Sequence, residues 1–224
     1  MPKIKYILLD AANTLIHKPD LWLNMNTVFK EFGHDIELGV LKKAHKMTSE
    51  IVNFPDKTSA DFYAGFNSKL LVALGIKTSI ELLNALFKAC SYLPWKAFDD
   101  IEALTKTERK LGILSNFNVS LESKLKEIIP FEFSDIIVSE KLGLRKPQLE
   151  LYNHAIKVIK LQQNEILYVG DSMELDIVPA NTVGLNSCLI DRENYYPKYK
   201  NRISSFNEIN NYIKQLEKCL NKRN

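Results

Sequence analysis

Tyr6-Ile7-Leu8-Leu9-Asp10-Ala11-Ala12-Asn13-Thr14-Leu15 is the stretch whose reading decides the fold. A short apolar run stops abruptly at a carboxylate. A strand buried on both faces of a parallel sheet reads as a continuous apolar run, not an alternating one. Open α/β sheets bind ligands just outside the carboxyl ends of their strands. Asp10 therefore stands where such a sheet places its chemistry. Taken alone, the stretch reads as a strand end and a polar turn, because Asp and Asn are common turn residues. Its partners lie downstream.

The 224 residues suffice for one large domain or a core domain with a smaller companion. The formal net charge of +3 is spread along the chain with no dense basic block. That pattern argues against nucleic acid as the main ligand and is compatible with a small anionic substrate. The basic end from Lys218 to Arg223 reads as the C-terminus of a helix. Cys90, Cys188 and Cys219 are few, far apart and without metal-ligand spacing. Cys90 and Cys188 fall in apolar runs and read as small core residues. A reducing cytoplasm is the expected location. No signal peptide is expected from Met1-Pro2-Lys3, and no apolar stretch is long enough to span a membrane.

Outward from strand one, the chain turns helical. Trp22, Met25, Phe29 and Phe32 recur at spacings of three and four, which predicts one helix face ended by Gly33. Leu38, Leu41, Ala44, Thr48 and Ile51 give a second helix, broken at Phe54-Pro55-Asp56. Ser59 caps a third, carrying Phe62, Phe66, Leu70 and Leu74 and closed by Gly75; Ser79 begins a fourth, through Cys90.

From Trp95 helices and strands alternate. A helix over about Asp99 to Arg109 precedes Leu111-Gly112-Ile113-Leu114, which ends in Ser115-Asn116. A helix from Ser120 to Ile128 leads to Asp135-Ile136-Ile137-Val138. After Lys146-Pro147 comes a helix with Leu149, Tyr152, Ile156 and Ile159. Ile166-Leu167-Tyr168-Val169 ends in Gly170-Asp171-Ser172. A short helix with Pro179 near its middle, a strand from Asn186 to Ile190 and a helix from Ser204 to Leu220 close the chain. Alternating βαβα units predict a doubly wound parallel sheet. Residues 1–17 and 94–224 form this α/β core, and 18–93 form an inserted all-α unit.

The strand ends carry a coherent set of groups. Asp10 and Asp171 can share a hard divalent cation; magnesium takes oxygen ligands, usually one or two carboxylates plus phosphate oxygens and water. Asp176 can orient the metal's waters from behind. Ser115 or Thr14 can donate to phosphate oxygens. Lys146 supplies a point charge against a phosphoryl dianion. Asp10 is the candidate nucleophile, since a carboxylate can carry a phosphoryl group and split one hard step into two.

With these residues in view, the chain resembles the haloacid dehalogenase (HAD) superfamily over essentially its whole length. The family's D-x-D-x-T motif aligns with Asp10-Ala11-Ala12-Asn13-Thr14. Its strand-end Ser or Thr aligns with Ser115, followed by Asn116. Its Lys-Pro at a helix start aligns with Lys146-Pro147. Its G-D-S-x-x-x-D aligns with Gly170-Asp171-Ser172-Met173-Glu174-Leu175-Asp176. The helical insertion after the first motif is similar to the C1 type of cap. The resemblance implies Mg2+-dependent phosphoryl transfer from a small phosphorylated substrate. Asp10 would be the nucleophile, assisted by Lys146 and Ser115. Asp10, Asp171 and the Ala12 carbonyl would ligate the metal. Thr14, Asn116 and Lys146 would position the transferred group. Substrate choice would be set by the cap.

One position departs from that pattern. Phosphatases of the family carry a second Asp two residues after the nucleophile, as acid and then base; here the residue is Ala12, with Asn13 where Gly is usual. Losing a positioned acid/base costs about a hundredfold to ten-thousandfold. One reading is a phosphatase that is slow, restricted to good leaving groups, or rescued by His17, His45 or Lys46. A second is a phosphonatase-like enzyme, which shares the Ala and needs a cap lysine such as Lys42, Lys43 or Lys46. A third is a 2-haloacid dehalogenase, against which the intact Gly170-Asp171-Ser172 and Asp176 argue. A fourth is a pseudoenzyme or phosphate-ligand binding protein.

Overall fold

In the computed structural model, which describes residues 3–55 and 57–221, Tyr6–Leu9 forms β1, buried along its whole length. Met1-Pro2, Asp56 of the Phe54-Pro55-Asp56 break, and Lys222–Asn224 of the basic end lie outside the described residues. β1 sits inside a six-stranded sheet with β2 (Lys110–Ser115), β3 (Asp135–Val138), β4 (Ile166–Gly170), β5 (Asn186–Ile190) and β6 (Arg202–Ile203). The strand order is β3-β2-β1-β4-β5-β6, and every recorded pairing is parallel. The chain builds outward from β1 to β3, then crosses to the other side of β1 for β4 to β6. That reversal makes the β1/β4 boundary a topological switch point, where α/β sheets open a crevice.

The chain packs as two compact units, residues 1–17 with 97–224, and residues 18–96. The second unit contains α1 (Leu21–Glu31), α2 (Leu38–Glu50), α3 (Ala60–Ala73) and α4 (Ile80–Cys90). Met25, Phe29, Leu41, Phe66, Leu70 and Leu86 pack into its core. The Ser59 and Ser79 hydroxyls accept from Phe62 N at 3.1 Å and Leu82 N at 3.2 Å, satisfying donors that the first turn leaves without partners. Phe32 lies past the end of α1 and is 38% exposed, so the predicted core face stops at Phe29.

The first unit adds α5 (Leu121–Ile128), α6 (Ser139–Leu142), α7 (Leu149–Ile159), α8 (Val178–Thr182) and α9 (Ile209–Asn221). Leu151, Tyr152 and Ala155 of α7 pack against Tyr6, Leu8, Leu114, Ile166 and Tyr168 of the sheet. A side chain at position 112 would overlap the Tyr6 ring, so glycine there lets the Tyr6 hydroxyl donate to Asp135 Oδ2 at 2.6 Å. Among the described residues no helix is long and apolar enough to cross a membrane.

Three expectations are corrected. Residues 101–107 form a 3-10 run, not an α-helix from Asp99 to Arg109. Its buried residues are Ile101, Leu104 and Thr107, spaced by three, which matches three residues per turn rather than 3.6. Pro179 lies in the first turn of α8, not near its middle, where its missing N–H costs nothing. Upstream, Asp176 N and Ile177 N both donate to the Ser172 carbonyl across a π-helical turn. The final helix begins at Ile209; Phe206–Glu208 is a separate 3-10 turn capped by the Ser205 side chain.

Candidate active site

Leu9 pairs with Ile113 of β2 and with Val169 of β4, so three neighbouring strands end at the same level. Asp10, Ser115 and Asp171 come from those ends. Asp10 N donates to the Val169 carbonyl at 2.9 Å, which extends the pairing by one residue and anchors the carboxylate's backbone. The chain then turns tightly. Leu15 N and Ile16 N both donate to the Ala11 carbonyl, at 2.8 and 3.0 Å, and Asn13 N donates to Ile16 O at 2.7 Å. Asn13 adopts φ +60°, a left-handed conformation that Asn tolerates better than most residues. Ala11 is fully buried, whereas Ala12 is half-buried.

Asp10, Thr14, Ser115, Lys146 and Asp176 are all buried. Lys146 Nζ donates to Asp10 Oδ1 and to Asp176 Oδ1, both at 2.6 Å. Ser115 Oγ donates to Asp10 Oδ1 at 3.0 Å, and Thr14 Oγ1 lies 3.4 Å from Asp10 Oδ2. Ligand oxygens of Asp10, Asp171 and Asp176 all lie within 4.8 Å of one another. Burial pushes the Asp10 carboxyl up to about 6; the Lys146 ammonium opposes this, while Asp176 and Asp171 reinforce it. Burial alone would lower the Lys146 ammonium, but Asp10 and Asp176 outweigh it and hold the charge on.

Charge is concentrated in this cluster. Three carboxylates meet one ammonium, and buried charges are stable only when paired or coordinated to metal. An all-oxygen donor set of three clustered carboxylates suits a hard divalent cation, magnesium among them.

Gly170 makes room for this arrangement. A Cβ there would collide with the Asp176 carboxylate, including Oδ2, the oxygen that accepts from Ser172 N at 3.0 Å. Asn116 does something the sequence did not disclose. Its amide nitrogen donates to the Lys146 carbonyl at 3.0 Å, and its amide oxygen accepts from Lys146 N at 2.8 Å. This reciprocal pair fixes the backbone that carries the lysine. Tyr168 was also missed as a polar participant. Its hydroxyl donates to Asp176 Oδ1 at 2.8 Å and lies 3.3 Å from Lys146 Nζ. The available signal was a phenol in an otherwise aliphatic strand two residues before Gly170, since a buried Tyr seeks a partner for its hydroxyl.

A buried carboxylate at a switch point, backed by a lysine and two further carboxylates, defines the class: an α/β protein with an acidic, lysine-backed site at the ends of its parallel strands. Residues 7–190 match the family described as haloacid dehalogenase-like hydrolase, and the chain belongs to that family. It is 34% identical over 119 residues to the glyceraldehyde 3-phosphate phosphatase of Methanocaldococcus jannaschii, covering 49% of this chain and 51% of that protein. It is 28% identical over 208 residues to the haloacid dehalogenase-like hydrolase domain-containing protein 3 of Bos taurus, covering 84% of this chain and 82% of that one. Against several of the curated phosphatases it matches, the chain spans about half of their length. The fold is shared with the HAD-hydrolase YfnB of Bacillus subtilis, a structure solved with magnesium. That match has a TM-score of 0.66 and 20% identity over 95% of this chain and 99% of YfnB.

Proposed function

We propose that the chain is a hydrolase that transfers a phosphoryl group from a small phosphorylated substrate to Asp10 and then to water, and that it favours leaving groups able to depart unprotonated. The observation that carries this reading is the Asp10 carboxylate itself, buried at the end of β1 with Oδ1 held by Lys146 and Ser115. Relatives named as phosphatases of glyceraldehyde 3-phosphate and of pyrimidine 5'-nucleotides agree with it. Asp10, Asp171 and the Ala12 carbonyl would hold Mg2+, with Asp176 supporting them. When bound, that ion neutralises charge on the carboxylates and on the phosphoryl oxygens.

The chain's own residues account for the remaining chemistry. Lys146 and Ser115 keep Asp10 ionised and aimed. An Asp10 carboxylate oxygen forms a bond to phosphorus as the bond to the leaving oxygen breaks, and the electron pair departs with the leaving group. Position 12 is a methyl, so no proton is delivered there to the departing oxygen. Water then attacks the phosphorus of the aspartyl-phosphate, releasing inorganic phosphate and restoring the carboxylate. With a methyl at position 12 this second step lacks a positioned base, and the phosphorylated Asp10 accumulates.

The test is phosphate release from an activated aryl phosphate with and without magnesium. Wild-type protein should turn over with metal present, and Asp10→Asn should lose at least about a hundredfold. Equal activity in Asp10→Asn would remove Asp10 from the mechanism. Tight binding of inorganic phosphate without turnover would favour a binding protein instead.

A further inference from the structure

The turn that carries Asp10 is held from outside by a side chain far away in sequence. Arg192 follows β5 and forms a two-pronged ion pair with Asp100. Nη1 lies 2.7 Å from Oδ2, and Nη2 lies 2.9 Å from Oδ1. Nη2 also donates to the Thr14 carbonyl at 3.1 Å. The guanidinium carbon lies 3.8 Å from the Phe98 ring centroid and 5.5 Å from that of Phe206. Phe98 also stacks on His17, with ring centroids 4.2 Å apart. Asp100 is fixed in turn, since Oδ2 accepts from Ser205 Oγ at 2.7 Å and Phe206 N at 2.8 Å.

Two carbonyls on the returning limb of the Asp10 turn are therefore tied to one short segment. Thr14 O meets Arg192 on Asp100, and Leu15 O accepts from Phe98 N at 3.0 Å. A planar guanidinium can serve a carboxylate with both prongs and still reach a carbonyl; an ammonium cannot hold that geometry. The arrangement is kept although Arg192 Nε is buried with no acceptor among the described residues.

We propose that Arg192 is a positioning residue for the nucleophile turn: clamped by Asp100 between Phe98 and Phe206, it fixes the Thr14 peptide and through it the direction of the Asp10 carboxylate. The kinetic part rests on Asp10 being the reacting group; the geometric part does not.

The test pairs hydrogen exchange with kinetics. In Arg192→Met, which keeps a long apolar stem between the rings, the amides of Asn13, Leu15 and Ile16 should exchange about tenfold faster while β1 and β4 stay protected. Turnover of an aryl phosphate with magnesium should fall about tenfold to a hundredfold with KM within about twofold, because misaligned reacting atoms lower kcat and leave binding intact. Arg192→Lys should recover only part of either effect. Asp100→Asn should act in the same direction as Arg192→Met, and Ser205→Ala, which loosens Asp100 without removing its charge, should act in that direction more weakly. Unchanged exchange at the turn in Arg192→Met would overturn the proposal. So would uniform acceleration across all strands in both Arg192→Met and Asp100→Asn, since that marks a staple of the whole fold. If wild type shows no turnover but the turn amides respond as described, the phosphatase reading falls and the positioning stands.

Discussion

Restoring a carboxylate at position 12 tests the mechanism most directly. Ala12 is half-buried, beside the fully buried Ala11, so the larger side chain of Ala12→Asp need not enter the core. A positioned acid/base contributes about a hundredfold to ten-thousandfold, equivalent to about 2.7–5.4 kcal/mol of barrier. Against this stands repulsion. Two carboxylates ~6 Å apart cost each other about 3 kcal/mol at an effective dielectric of ~20, and Asp10, Asp171 and Asp176 are already clustered around one lysine. A divalent cation offsets that cost, so the gain should appear at saturating magnesium and shrink as magnesium is withdrawn. It should also depend on the leaving group. An aryl phosphate should gain little in the first step, whereas an alkyl phosphate should gain the full factor. The assay is kcat/KM, which reports the transfer to Asp10, across a series of phosphate esters graded by leaving-group pKa, with mass spectrometry of the quenched enzyme for the phosphoryl adduct on Asp10. Wild type should show a steep dependence and a visible adduct; Ala12→Asp should show a shallow dependence and little adduct. Identical slopes for the two proteins would refute the argument that a missing acid/base limits this chain.

Tyr168→Phe removes the hydroxyl between Asp176 and Lys146, and should cost about 1–3 kcal/mol in urea denaturation by leaving Asp176 one donor short. Gly170→Ala drives a methyl into the Asp176 carboxylate and should destabilise by about 1–3 kcal/mol. Combining it with Asp176→Ala should recover part of that loss in a double-mutant cycle. His45 packs edge-on against Trp22 and Phe66, and burial, with the neighbouring Lys46 ammonium, lowers it from 6.5 to about 4. A lowered histidine favours folding above its unfolded pKa, so this contribution is full above pH 6.5 and fades as the pH falls toward 4. Its ceiling is about 3 kcal/mol at 1.36 kcal/mol per pKa unit, reduced for a half-buried ring. Thermal melts should show wild type losing stability between pH 6.5 and 4.5, and His45→Gln losing measurably less.

Local pattern made much of this protein legible. The strands at Asp135–Val138 and Asn186–Ile190 lie where apolar runs predict them, and Ser59 and Ser79 cap the helices they were expected to start. The parallel sheet follows from alternation alone. Missed features depend on partners that periodicity cannot name. Asn116 and Lys146 are 30 positions apart, Arg192 and Asp100 are 92 apart, and Arg192 and Thr14 are 178 apart. Tyr168 hid for another reason: a tyrosine in a strand pattern reads as hydrophobic bulk, and only the fold reveals which face its hydroxyl meets. The run at 101–107 was readable in principle, since its buried residues repeat every three.

The position of β1 also sets an order of assembly. It is the first of the six strands in sequence, yet it lies between two others, with Tyr6 opposite Lys110 on one side and Ile166 on the other. Both pairings close very long loops, and such closures are entropically slow. The helices of residues 18–96 need only near neighbours and can form while β1 waits. During synthesis the most apolar strand of the sheet therefore emerges first and is completed only when Ile166–Gly170 arrives. Until then it offers an open edge of the kind that recruits other chains.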